Sequence, residues 1–106
     1  MNRQQQIDHF VAQAHLLAMQ RLREQPGRVG EVQTQLENWR KLSGATSSDV
    51  YWDEWESLLS GSLEALANIV CSDNDHAKVL RSVSPMSVLI TQSERAQMIA
   101  QARQAA

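Results

Sequence analysis

The chain has 106 residues, 42% of them hydrophobic, with 12 acidic and 10 basic side chains for a formal charge of −2. That length fits one domain spanning 1–106 and is too short for two independent cores. The charge argues against a generally cationic nucleic-acid or membrane binder, and the single Cys71 leaves no internal disulfide framework. No apolar run approaches the roughly 18 residues of a membrane span, and no apolar stretch follows the first six residues as a secretory signal requires. A lone cysteine suits a reducing, cytoplasmic setting.

Charge is unevenly placed. Residues 1–30 carry Arg3, Arg21, Arg23 and Arg28 against Asp8 and Glu24, a net +2. Residues 31–75 carry Arg40 and Lys41 against nine acids, a net −7. Residues 76–106 carry Lys78, Arg81, Arg95 and Arg103 against Glu94, a net +3. Pairing between neighbouring helices is the simpler reading of this pattern, ahead of a binding patch.

Helix signals dominate. Ile7, Phe10, Val11, Ala14, Leu17, Ala18 and Leu22 recur at the spacing of one helical face, and Pro26-Gly27 stops the helix. A second helix fits 31–43, with Val32, Leu36 and Trp39 in one stripe, Gly30 as N-cap and Gly44 at C′. Residues 44–48 read as a loop. A third helix starts near Thr46–Asp49, a Thr-x-x-Asp box, and runs towards Cys71 with Gly61 as a kink or a break. Its apolar face holds Trp52, Trp55, Leu59, Leu63, Leu66, Ile69 and Val70. Ser72-x-x-Asp75 opens the next helix, and Ser84-Pro85 reads as N-cap and N1 of a short turn. Residues 86–90 read as helical or extended loop. Thr91-x-x-Glu94 is a capping box for a last helix reaching about Arg103.

Three groups carry the functional expectations. Tyr51 and Trp52 sit at the edges of the third helix's apolar face, whereas Trp55 sits at its centre. Core packing is the first reading of these aromatics, and a binding cluster ringed by acids the second. Ala12, Leu16 and Met19 form a second apolar stripe on the first helix, so that helix is either buried on two sides or offers an interface. Arg95, Gln97, Gln101 and Arg103 face outward on the last helix as base-edge readers, but the stretch 84–90 is too long for a helix-turn-helix connection.

Chemistry is thinly signposted. His9 and His15 are six residues apart and cannot chelate one ion together on a helix. Cys71, Asp73, Asp75 and His76 match no zinc or calcium spacing and read as cap and turn. No nucleophile elbow, phosphate-binding glycine loop or metalloprotease helix is present. The expected protein is an all-α, single-domain bundle of four to five helices with no metal and no cofactor. Its expected core is Phe10, Leu17, Leu36, Trp39, Trp55, Leu59, Leu66 and Leu80, with the first three helices packed as antiparallel neighbours. Its expected role is a non-enzymatic protein-interaction module acting by binding another protein or a second copy of itself. The alternative is a small DNA-binding regulator using the C-terminal basic helix.

Overall fold

The computed structural model describes residues 2–104, and among them it is all-helical. Six α-helices follow in order: α1 Arg3–Glu24, α2 Val29–Ser43, α3 Asp49–Leu59, α4 Leu63–Val70, α5 Asp75–Ser82 and α6 Gln92–Gln104. Two 3-10 turns, Pro26–Arg28 and Pro85–Leu89, lie before α2 and α6. The helix count exceeds the expected four to five because the third helix divides at Gly61. Ser60, Gly61 and Ser62 supply the reason. The Gly61 N–H falls back on the Leu58 carbonyl at 3.2 Å, and Ser62 turns extended so that its Oγ accepts the Ala65 N–H at 3.1 Å. A serine competing for the backbone, beside a glycine with no helical preference, ends one helix and caps the next.

Most helix starts follow their local chemistry. Asn2 and Gln5 form a reciprocal capping box on α1, a signal the apolar pattern did not flag. Thr91 and Glu94 form the expected box on α6, with Thr91 N–H donating to Glu94 Oε1 at 2.9 Å and Glu94 N–H to Thr91 Oγ1 at 3.2 Å. Ser84 caps the second 3-10 turn with Pro85 at its first position, and Ile90 beyond it is extended. Two expected caps are corrected. Asn74, rather than Ser72, caps α5, its Oδ1 accepting the Ala77 N–H at 2.8 Å. Gly30 lies inside α2, which starts at Val29 because the Pro26–Arg28 turn feeds straight into it.

One hydrophobic cluster joins α1 to α5 and the second 3-10 turn. It includes Ala18, Met19, Leu22, Val32, Leu36, Trp52, Trp55, Leu59, Leu66, Val70, Leu80, Met86 and Leu89. Trp55 is fully buried, and its indole N–H donates to the Leu80 carbonyl at 3.0 Å, so the ring packs without an orphaned donor. Of the expected core, Leu36, Trp55, Leu59, Leu66 and Leu80 are buried and Trp39 packs half-buried against them. Phe10 and Leu17 are only half-buried and lie outside the cluster. Nor do the first three helices stack as successive neighbours. α1 packs on α4, α5, α6 and the second 3-10 turn, while α2 packs on that turn and on α3. Met86 and Leu89 make the turn apolar enough to serve as this shared wedge.

Glycine chemistry separates two corners. Gly44 has φ +64° and ψ −153°, a region that an L side chain enters at a cost of about 1–3 kcal/mol. A Cβ on Gly61 would meet the Leu58 carbonyl oxygen at an ordinary 3.6 Å. Gly44→Ala is therefore expected to destabilise by about 1–3 kcal/mol. Gly61→Ala is expected to be neutral or to stabilise by up to about 1 kcal/mol through the unfolded chain. Urea midpoints of the two variants, measured side by side, check the contrast.

Candidate functional site

The face of α1 that enters the core is the unexpected feature of the molecule. Its buried residues are His15, Ala18, Met19 and Leu22, spaced at i, i+3, i+4 and i+7. Ala18 and Leu22 belong to the expected apolar face, and the rest of that face, through Ile7, Phe10, Ala14 and Leu17, lies about a quarter turn away. Met19 is fully buried, the buried alternative for the Ala12-Leu16-Met19 stripe rather than the interface one. Leu16, from the same expected face, stays 51% exposed, and Ala12 is half-buried. The Ala12-Leu16-Met19 stripe thus contributes one exposed anchor rather than an interface. Trp52 is also core, 8% exposed, its indole N–H donating to the Val83 carbonyl at 3.0 Å. Its neighbour Tyr51 is half-buried with its ring 6.4 Å from that of His76.

The displaced stripe opens on a groove instead. α6 lies along α1 and covers part of the stripe, and the remainder faces a cavity of about 400 Å³ between α1, α5, the second 3-10 turn and the start of α6. Ile7, Phe10, Val11, Ala14, Met86 and Ile90 make its apolar lining. Lys78, Arg81 and Arg95 also line it, against one acid, Asp8. Asp8 accepts a hydrogen bond from Gln4 Nε2 at 3.0 Å and is in no ion pair among the described residues. A drug-sized, largely apolar cavity with a few charged groups is the usual anatomy of a binding site.

Each cation is placed by a separate contact. Arg95 lies with its guanidinium 5.4 Å from the centre of the Phe10 ring, a cation–π arrangement. Arg81 is only 7% exposed. One Nη donates to the Val70 and Ser72 carbonyls at 2.7 and 2.8 Å, closing the C-terminal end of α4. No carboxylate among the described residues pairs with Arg81, Lys78 or Arg95. The groove is cationic over an apolar floor.

His15 and Ser84 form the polar end of the groove. The Val11 carbonyl can only accept, so His15 Nδ1 is the N–H donor to it at 2.8 Å. Nε2 therefore carries the lone pair and accepts the Ser84 hydroxyl at 2.7 Å. Burial pushes the His15 pKa from 6.5 down to about 4, against the opposing Val11 hydrogen bond and with help from Arg81. Serine donating to an oriented histidine is the geometry of a nucleophile and its base. Here the base is too weak for work near neutrality, and the serine oxygen also accepts the Met86 N–H at 3.1 Å as a cap. The pair reads as a latch between α1 and the second 3-10 turn, a contact across 69 residues that sequence spacing did not signal.

The remaining candidates disperse. Arg95 and Arg103 border an open recess with Arg3, Ile99 and Ala102, on the side of α6 that packs towards α1. Gln97 and Gln101 are exposed and, by helical spacing, lie on the opposite side. The four residues expected to read DNA from one face thus occupy two. His76 turns to Glu54, at 2.8 Å, rather than to Cys71 or Asp73, and Cys71 is a half-buried free thiol whose pKa burial raises. No group of three His, Cys, Asp or Glu side chains among the described residues is placed to hold a metal ion. No helix among the described residues is long and apolar enough to cross a membrane. Comparison with protein families, curated proteins and solved structures finds no match.

The depressed His15 pKa has a testable sign. A buried neutral imidazole disfavours protonation in the folded state, so its contribution is present above pH 6.5 and lost progressively as pH falls towards 4. The loss is on the order of 3 kcal/mol. Urea unfolding at intervals between pH 7 and 4 should show this decline in the wild type and a shallower one in His15→Gln. Parallel declines would assign the acid sensitivity to other groups.

Proposed function

We propose that the chain is a non-enzymatic protein-interaction module, working in a reducing, cytoplasmic setting, and that it docks its partner in the groove beside α1. The observation that carries this reading is the apolar stripe Ile7, Phe10, Val11 and Ala14, which lines an open cavity outside the hydrophobic cluster. Ile7 remains 43% exposed. Contiguous apolar surface that folding leaves uncovered, edged by unpaired cations, suits a partner that buries apolar side chains and brings negative charge. The weak base at His15 and the capping role of Ser84 support binding rather than catalysis. Leu16 and Tyr51 lie outside the groove and are secondary contacts at most in this reading.

A DNA-regulator role through Arg95, Gln97, Gln101 and Arg103 draws less support. Its arginines and glutamines face different ways, and Arg95 is engaged with Phe10.

Ile7→Glu places a charge on the apolar lining, and Ala14→Trp fills the cavity beside α1. Proteins retained by the immobilised wild-type chain should be lost from both variants and kept by Leu16→Asp, with helical circular dichroism unchanged in all three. A tenfold or greater weakening corresponds to about 1.4 kcal/mol or more. Retention unaffected by Ile7→Glu and Ala14→Trp would remove the groove as the docking site.

A further inference from the structure

We infer that the groove's occupant is the α2–α3 corner of a second copy of this chain, so that the molecules associate head to tail. The inference rests on reading the groove as a docking site, and it names what docks. Two surfaces that this fold leaves unpaired are complementary to each other. One is the groove, apolar along Ile7, Phe10 and Val11 and bordered by Lys78 and Arg95 without carboxylate partners. The other is the corner where α2 gives way to α3.

Leu42 at the end of α2 is 86% exposed and Val50 at the start of α3 is 72% exposed, the two most exposed large hydrophobic side chains among the described residues. They flank a single exposed loop that turns at Gly44. Scattered apolar residues on a surface need no explanation, but these two border one loop. Residues 37–56, which contain this corner, carry Glu37, Asp49, Asp53, Glu54 and Glu56 against Arg40 and Lys41, a net −3, with Glu54 meeting His76 at 2.8 Å. Arg40 is already shared between Asp53 at 2.7 Å and Glu56 at 2.9 Å, so it has no further carboxylate to recruit. Two exposed apolar side chains thus border one loop within a stretch of net negative charge. A cationic apolar recess of about 400 Å³ stands elsewhere on the same chain.

The two surfaces share no element: the groove belongs to α1, α5, the second 3-10 turn and α6, the corner to α2 and α3. Knob-in-groove contact is therefore heterologous. Each copy keeps a free groove at one end and a free corner at the other, which yields a ring or an open chain rather than a closed two-fold dimer. Opposite charge at the rim makes the association weaken as salt is raised.

Light scattering after size exclusion, over about 1–500 µM and at low and high salt, tests this. The expected mass rises with concentration to at least twice 11.9 kDa and falls back with salt. Lys78→Glu with Arg95→Glu disables the groove, and Leu42→Ser with Val50→Ser disables the corner. All four side chains are exposed, so both double variants should retain wild-type circular dichroism. Each alone should be monomeric, and an equimolar mixture should form a 1:1 complex, because one supplies the intact corner and the other the intact groove. A wild type that stays monomeric throughout overturns the inference, while leaving capture of a different protein at the groove measurable as before. A dimer that persists in either variant, or a mixture that stays monomeric although the wild type associates, also overturns it.

Discussion

The rotational setting of α1 about its own axis is the constraint on which the rest of the structure depends. α1 touches α4, α5, α6 and the second 3-10 turn, so its phase decides which side chains those elements meet. Two polar residues hold that phase, His15 within the buried face and Arg21 beside it. His15 binds Ser84 at the start of the second 3-10 turn. Arg21 donates to the Leu89 carbonyl at 2.8 Å at the end of that turn, and to both oxygens of Glu94 on α6. Between them, Ala18, Met19 and Leu22 fill the core. A quarter-turn rotation towards the more apolar stripe would bury Phe10 and Leu17, but it would strand the histidine and the arginine without partners.

Glu94 shows how little separates a local signal from a tertiary one. Its carboxylate completes the Thr91 capping box and also receives Arg21, and this hydrogen bonding holds its pKa down to about 2. α6 has no residue in the main hydrophobic cluster, and of its residues only Ala102 is buried. The helix is held along α1 by the Arg21–Glu94 pair, the Arg95–Phe10 contact and partial cover of the apolar stripe. The groove stays open where α6 begins.

Charge follows the same division. The ion pairs are Arg21 with Glu94, Arg28 with Glu31, Arg40 with Asp53 and Glu56, and His76 with Glu54. Among the described residues only Arg28–Glu31 and, when His76 is protonated, His76–Glu54 bridge a basic end and the acidic middle. Surface pairs of this kind contribute roughly 0–1 kcal/mol each, so they trim the charge pattern rather than hold the fold. What remains is net positive charge on α1, α5 and α6 and net negative charge concentrated on α3, with α2 neutral.

By itself the sequence determined the helices, because their signals are local. Apolar spacing places α1 to α3, Pro26-Gly27 ends the first, and Thr91 with Glu94 opens the last. Trp55 at the centre of its helical face, and Leu36, Leu59, Leu66 and Leu80, were legible as core for the same reason. The division at Gly61 was half legible, since Ser62 was also needed as a cap. Tertiary structure alone decided which side of α1 is inside. Periodicity marks where apolar side chains align, but it is blind to a hydrogen-bond partner 69 residues away. Met19 and Trp52, open between core and interface in the sequence, are core, whereas Phe10 and Leu17 lie outside the cluster and Phe10 lines the groove. Its cations come from α5 and α6, which only packing brings beside the first turns of α1.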